Sequence, residues 1–408
     1  LDFSGSLCPL RTLLLHRRPS FPFIRARFRR HGSWQREQKM APWATDTDWL
    51  NLGWDDARAA EYDAARAALS ADESRALLPG RILARHPGQY AVLTPEGEKA
   101  ARIKGVLRRD AETWAEMPTV GDWVVIGPQV GETLWHIHKV LERRTRLIRK
   151  SKGTRTVPQV IAANVETIVI VMGMTEDYNI RRLERYLVIV RESGARPVIV
   201  LNKADLIDDE ELRAALEFEV RDSAPQAEVH VVSALHEEGI EEVRSLLQPG
   251  GTVIFVGSSG AGKSTLINAI LGEERQATGD VRRGDGKGRH TTTTREMFVI
   301  PGHGSIIDSP GIREIQLWTT SQEGLEEAFA DIEELAKSCR FSNCTHSSEP
   351  GCAVLQAIEE EELDAERLQS YMALQRELET VRRREAELAE ARRRAFRSHK
   401  PGRKGRRD

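Results

Sequence analysis

The run Gly257-Ser258-Ser259-Gly260-Ala261-Gly262-Lys263-Ser264-Thr265 constrains this chain more than any other stretch. It has the phosphate-loop spacing of Gly, four residues, Gly, Lys and Ser or Thr. Residues 252–256 just before it read as a short buried strand, and residues 266–271 just after it as a helix, which is the context the motif needs. Glycines let backbone N–H groups turn inward around a chain of phosphates, and the helix N-terminus adds partial positive charge. Lys263 is then expected to reach the terminal phosphates and the Ser264 hydroxyl to sit on Mg²⁺.

The chain ahead of this loop alternates strands and helices. Residues 165–172 form a continuous apolar run, as in a buried parallel strand. Helical periodicity follows over 180–193, a strand over 197–201, a helix over 210–221, a strand over 228–232 and a helix over 240–247. This pattern predicts a doubly wound, mostly parallel sheet with ligands at the carboxyl ends of its strands. Two such ends carry motifs. Asn202-Lys203-Ala204-Asp205 follows one strand, and Ser233-Ala234-Leu235 follows the next. The Asp205 carboxylate can accept from N1 and the 2-amino group of guanine, a donor pair that adenine lacks, so GTP and GDP are favoured over ATP. Asn202 is expected to tie the loops together, the Lys203 stem to cover the base, and the 233–235 backbone to reach the guanine oxygen.

Beyond the phosphate loop, residues 272–295 are rich in Gly, Arg and Thr and read as a long functional loop. Thr292 is the candidate to close the Mg²⁺ shell, and His290 a candidate to orient the attacking water. Strands over 297–300 and 305–307 lead to Asp308-Ser309-Pro310-Gly311. Asp308 is expected to hold Mg²⁺ through water and the Gly311 N–H to contact the terminal phosphate, giving an order–disorder switch. Ile312 occupies the position where many GTPases carry a water-orienting Gln, so intrinsic turnover is expected to be slow and in need of an activating partner. Asn-Lys-x-Asp and Ser-Ala precede the phosphate loop instead of following it. That is a circular permutation.

Net charge is −2 over 408 residues, but residues 1–39 carry nine Lys/Arg against Asp2 and Glu37, and residues 391–408 carry nine against Asp408. Basic ends point to nucleic acid or an anionic surface. Residues 1–43 are expected to be a basic flexible extension. Its Arg-rich, acid-poor start resembles a transit segment, and Met40 looks like an equally good start. Residues 44–79 read as a loop and a helix, with Trp49 and Trp54 as packing anchors. From Gly80 to residue 150 the pattern is short strands, over 81–94, 101–107, 122–126 and 135–141, which predicts an OB-type β-barrel. Arg143, Arg144, Arg146, Arg149, Lys150 and Lys152 are expected to line its exit as a basic rim that meets RNA, and residues 151–160 to be a linker. No apolar run is long enough to span a bilayer.

Cys339, Cys344, His346 and Cys352 lie close together, and the remaining cysteine, Cys8, is remote. Pairing as disulfides would leave one thiol over, whereas a structural Zn²⁺ uses three thiolates and one imidazole. Helices are expected over 353–358 and 363–396, the second with Leu363, Leu368, Tyr371, Leu374 and Leu378 as its apolar stripe. The end, 391–408, reads as a basic tail.

A barrel, these permuted motifs and this cysteine–histidine cluster in one chain resemble the ribosome small-subunit-dependent GTPase A family, over roughly residues 80–380. The resemblance implies a multidomain α/β protein: an N-terminal OB-type barrel, a permuted P-loop GTPase domain over 151–320 and a zinc-binding helical domain over 321–390. It implies a cytoplasmic, monomeric GTP hydrolase that binds the small ribosomal subunit and its rRNA late in maturation, is activated there and helps release assembly factors, with GTP/GDP, Mg²⁺ and one Zn²⁺ as cofactors and no membrane partner. Two other readings stay open: a phosphate-loop ATPase or kinase, and an RNA-binding scaffold with a degenerate nucleotide switch.

Overall fold

The computed structural model describes residues 46–69, 76–111, 113–129, 131–150, 158–272, 295–308 and 322–398. The expectations for the basic extension over 1–43, for His290 and Thr292, for Gly311 and Ile312, and for the end of the basic tail lie outside the described residues.

The N-terminal region is two helices, not a loop and one helix. Asp46–Asn51 and Asp56–Ala67 are separated by a short bend, and the second starts where the Asp55 carboxylate accepts the Arg58 N–H at 2.9 Å. Both lie on the barrel. Trp49, tilted, and Trp54, edge-on, pack on the fully buried Trp123 with centroids 5.5 and 4.9 Å away, so they are anchors, as expected.

The barrel comprises β1 (Leu78–His86), β2 (Gln89–Thr94), β3 (Gly97–Ile103), β4 (Trp123–Gly127) and β5 (Trp135–Val140). Its order is 1-2-3-5-4, and pairing of β1 with β4 closes it; β3 and β5 run parallel. Alternate residues fill the interior, among them Ile82, Tyr90, Val92, Val124, Ile126 and Ile137. The strand expected over 101–107 ends at Ile103. Lys104 donates its N–H to the Ile137 carbonyl, and Gly105–Asp110 coils into a helix that sets Leu107 on the barrel core and leaves Val106 exposed. The apolar pair Val106-Leu107 therefore serves a helix, not a strand.

The expected linker also differs. Residues 158–160 belong to β7 (Pro158–Ala163), which pairs antiparallel with β6 (Arg146–Lys150) in a separate two-stranded sheet. The basic rim is correspondingly divided. Arg143 is folded inward onto the fully buried Asp122 at 2.7 Å, and Arg144 pairs with Asp55 at 2.6 Å.

The central sheet is β8 (Thr167–Gly173), β9 (Arg196–Asn202), β10 (Glu228–Val231), β11 (Thr252–Val256), β12 (Glu296–Ile300) and β13 (Gly304–Asp308), in the order 10-9-8-11-13-12. All but β12 are parallel, and β12 returns antiparallel beside β13. The chain moves outward from β8 through β9 to β10, then restarts on the other side with β11. The topological switch point therefore lies between the carboxyl ends of β8 and β11, where an open α/β sheet binds its ligand. One bridge, Ala84 to Glu296, joins this sheet to the barrel.

A buried polar knot fixes the two parts together. Arg81 donates to the Asn164 carbonyl at 2.9 Å, to the Thr252 hydroxyl at 2.8 Å and to the Leu52 carbonyl, and stacks over Trp123. Burial pushes its pKa down to about 10. Asn164, at φ +53°, accepts from Arg58 at 2.7 Å and donates to the Gly121 carbonyl at 3.1 Å.

The C-terminal region is helical: Glu323–Ala328, Ala330–Ala336, Ala353–Glu359 and the long Ala365–Ser398. Leu363, Leu368, Tyr371, Leu374 and Leu378 are all buried, as their spacing predicts. This region docks on the helix Ile180–Ser193. The buried Glu184 carboxylate there accepts from Arg181 at 2.8 Å and from Arg367 of the long helix at 2.9 Å, and Arg367 also pairs with Asp331. Among the described residues no helix is long and apolar enough to cross a membrane.

Candidate functional site

The phosphate loop leaves β11 at Gly257, whose φ is +143° and which passes so close to β8 that a Cβ would lie 2.2 Å from the Val171 carbonyl oxygen. Only glycine fits there. Ser259 and Gly260 are exposed at the crest of the loop and Ala261 is buried beneath it. Lys263, Ser264 and Thr265 begin the helix Lys263–Leu271, and the Leu266 N–H returns to the Gly262 carbonyl at 2.8 Å. The Lys263 ammonium curls back onto the Gly257 carbonyl at 3.0 Å and onto that of Ser258.

Asn202 ends β9 and ties three loops. Its Nδ2 donates to the Ala261 carbonyl of the phosphate loop at 2.9 Å, and its Oδ1 accepts the Ala234 N–H at 3.0 Å. The residue is 2% exposed. Gly262 makes this approach possible: a Cβ at that position would lie 2.2 Å from the Asn202 amide nitrogen. Lys203 follows in the left-handed region at φ +66°, with its Cδ 3.5 Å from where a Cβ of Gly173 would stand, so its stem lies over the end of β8. The Ala204 N–H donates to the Val232 carbonyl at 3.1 Å. The buried Ser233 donates its hydroxyl to Asp205 Oδ1 at 2.6 Å, and the second carboxylate oxygen faces the His236 ring at 3.9 Å. The loops that carry Asp205 and Lys263 are thus joined through Asn202. Asp308 ends β13, and the parallel register that sets Ile307 beside Ile254 brings it to the root of the phosphate loop.

Sequence reasoning missed Asp177. It lies four residues past β8, at the switch point, where one oxygen accepts from the Ser258 hydroxyl and from Arg182 at 2.7 Å, and the other accepts the Gly173 N–H at 3.1 Å. The only signal in the sequence is its place between a buried strand and the helix cap at Asn179.

The second site is formed by Cys339, Cys344, His346 and Cys352, whose ligand atoms all lie within 4.8 Å of one another. Tetrahedral Zn²⁺ with bonds of about 2.3 Å to sulfur and about 2.0 Å to nitrogen implies S···S of roughly 3.8 Å and S···N of roughly 3.5 Å. The Cys339–Cys352 sulfurs are 3.8 Å apart, and His346 Nδ1 lies 3.7 and 3.4 Å from them. These three donors already stand at tetrahedral spacing, and Cys344 Sγ lies within 4.8 Å of each of them. Burial disfavours the Cys339 thiolate, but N–H groups of Val354 and Ala353 draw its pKa below the ordinary thiol value. His346 sits at φ +56°, and the loop carrying it is braced by Glu349, which accepts from the Thr345 hydroxyl and from the N–H groups of Thr345, Ser347 and Ser348.

A phosphate loop at the switch point, clasped by an Asn-Lys-x-Asp loop that precedes it in the chain, defines a circularly permuted P-loop GTPase. Comparison with known proteins narrows this class. The RsgA GTPase family pattern matches residues 140–318. The small ribosomal subunit biogenesis GTPase RsgA of Methanosarcina acetivorans is 49% identical over 303 residues, 74% of this chain and 79% of the relative. That of Opitutus terrae is 43% identical over 335 residues, 80% and 89% of the two chains. Among solved structures, YjeQ from Thermotoga maritima superposes with a TM-score of 0.54 at 25% identity, covering 74% of this chain and 98% of that one. YloQ, described as a circularly permuted GTPase, gives 0.53 at 26% identity, covering 77% and 98%. The chain belongs to the RsgA GTPase family and is a GTP hydrolase.

Proposed function

We propose that this chain hydrolyses GTP in the biogenesis of the small ribosomal subunit, docking on the subunit and being activated by it. The observation that carries the nucleotide part is Asn202, one buried amide bonded to both the phosphate loop and the Ser233-Ala234 loop, so that base and phosphate recognition share one rigid frame. Asp205 receives the guanine edge. The Ser233 hydroxyl orients it and leaves each oxygen a lone pair for the N1 and 2-amino donors, and an adenine there would strand a desolvated carboxylate. Lys203 covers the base. Backbone N–H groups of residues 257–265 and the Lys263 ammonium take the phosphates, Lys263 exchanging its loop carbonyls for phosphate oxygens. Ser264 and Asp308 would hold Mg²⁺, which supplies charge neutralisation between the terminal phosphates. Thr292, Gly311 and His290 complete the phosphate and water contacts in this reading. The cluster of Cys339, Cys344, His346 and Cys352 holds one structural Zn²⁺ that shapes the subunit-facing end.

The names of the relatives support the partner. The basic ends of the chain support rRNA as the surface met, and release of assembly factors from the subunit is the step assigned to hydrolysis. The chain acts as a cytoplasmic monomer in this reading. Ile312, in the place of a water-orienting Gln, favours one competing reading, a scaffold with a degenerate switch. GTP turnover measured alone, with purified small subunits and with large subunits decides between them. Acceleration by small subunits alone is expected, and turnover unchanged by either subunit would hand the case to the scaffold.

A further inference from the structure

Several arginines around the barrel, buried or exposed, have a carboxylate. Arg58 meets Glu61, Arg102 meets Glu132, Arg143 meets Asp122 and Arg144 meets Asp55. Arg81 has none but is satisfied by two carbonyls and a hydroxyl, whereas three half-buried arginines have, among the described residues, neither a carboxylate nor such a set, and two of them face each other. The antiparallel register that pairs Ala84 of β1 with Glu296 of β12 sets Arg85 and Arg295 on neighbouring cross-strand positions. Arg149, on β6, is near enough for its charge to act on Arg295. Beyond burial, Arg149 and Arg85 are the groups that push the Arg295 pKa down, to about 10. Among the described residues none of the three has an ion-pair partner. Arg149 reaches only the Gln159 amide oxygen, at 3.4 Å, and its Nε is buried with no partner at all.

Like charges on facing strand positions destabilise a sheet, and desolvating an unpaired guanidinium adds to that cost. An anion with several acceptor oxygens would relieve both costs, and the planar donor fork of arginine suits phosphate. We propose that Arg85, Arg149 and Arg295 form a phosphate-binding site for an RNA backbone at the seam between the barrel and the nucleotide-binding sheet. The choice of RNA over free phosphate rests on the ribosomal reading above. The site lies at the junction itself and not on the exit rim expected from sequence, where Arg143 and Arg144 are already paired. Arg295 is the last residue of the Gly-, Arg- and Thr-rich stretch, so RNA bound here grips the strand that continues from it.

The test uses the full chain and its Arg85→Gln, Arg149→Gln and Arg295→Gln variants, each titrated with a labelled mixed-sequence RNA oligonucleotide across a salt series. Each substitution should weaken binding several-fold and reduce the slope of log affinity against log salt by about 0.7, the share of one phosphate contact on a single strand. Thermal unfolding should not move to lower temperature, because one of three repelling charges has gone. Lower melting with unchanged salt slopes would mean that the arginines are packing struts, and would overturn the proposal. Inorganic phosphate is the second arm. If it stabilises the wild type through these arginines while RNA binding ignores them, the RNA assignment falls. Small subunits are the third arm. A wild type that ignores subunits yet binds the oligonucleotide with arginine-dependent slopes would sink the ribosomal reading and leave this site standing.

Discussion

Asn202 and Gly262 make a cycle whose outcome can be worked out in advance. Replacing Asn202 by Ala removes two buried hydrogen bonds and leaves the Ala261 carbonyl and the Ala234 N–H without their partner. At about 1–3 kcal/mol for each buried group left unpaired, the loss is about 2–4 kcal/mol once the loops relax. Gly262→Ala costs about 1–2 kcal/mol for placing a side chain at φ +92°, and its methyl, 2.2 Å from the Asn202 amide nitrogen, also drives that amide off Ala261 for about 1–3 kcal/mol more. In the Asn202→Ala background the methyl meets nothing at that point, so only the backbone strain remains. The double variant should therefore be more stable than the sum of the single losses by about 1–3 kcal/mol. Urea unfolding of the nucleotide-free protein followed by far-UV circular dichroism reads all four corners, since the sheet and helices around the site contribute to that signal whereas the described tryptophans lie in the barrel region. Losses that add to within about 0.5 kcal/mol would show that the amide does not rest on Gly262, and the shared frame for base and phosphate would fall with it.

Other outcomes follow from the same geometry. Asp205→Asn should lower GTP affinity by about 1.5–3 kcal/mol, the value of a hydrogen bond to a charged group, and shift preference toward xanthosine triphosphate, whose 2-oxygen accepts where guanine donates; nucleotide competition measures both. One Zn²⁺ per chain is expected by elemental analysis, and Cys352→Ser should release it and unfold the segment between Ala336 and Ala353 while GDP affinity stays within a few-fold of the wild type. The Arg144 guanidinium holds the Asp55 carboxyl down at about 2, so this pair contributes its stability above the ordinary carboxylate pKa and loses it as pH falls from about 4 to about 2. The gap in urea midpoint between wild type and Asp55→Asn should be constant near neutrality, close across that acid window and narrow with added salt, because the pair is exposed. A gap that widens on acidification would reverse the sign of the coupling.

Much of this was legible because it is local. The helix over 180–193 and the strand over 252–256 are delimited by residues that speak for themselves: Asn179 as a cap, Gly194 at φ +79°, the glycines of the phosphate loop. The cysteine cluster was legible because four good ligands rarely fall so near one another by accident. What was hidden depends on partners far along the chain. Residues 104–107 read as strand because Val106-Leu107 is apolar, and only the bond from Lys104 to Ile137 shows that the strand has already ended. Arg143 and Arg85 look alike in sequence. One meets Asp122, and the other, among the described residues, has no ion-pair partner and faces Arg295 across the strands. Asp177 belongs to no motif, and its contact with Ser258 spans 81 residues.

The knot around Arg81 bears on how this protein can be cut. The family pattern begins at residue 140, which invites isolating the nucleotide-binding part from there. Yet the hydroxyl of Thr252, at the first residue of the strand that ends in the phosphate loop, is bonded to a guanidinium from the first barrel strand. A chain starting at 140 would open that strand's root to solvent, take Arg58 and Gly121 from Asn164, and strip the cover from Ile307 beside Gly121. The smallest piece able to hold its loop in shape begins at the tryptophans, well upstream of the first nucleotide motif.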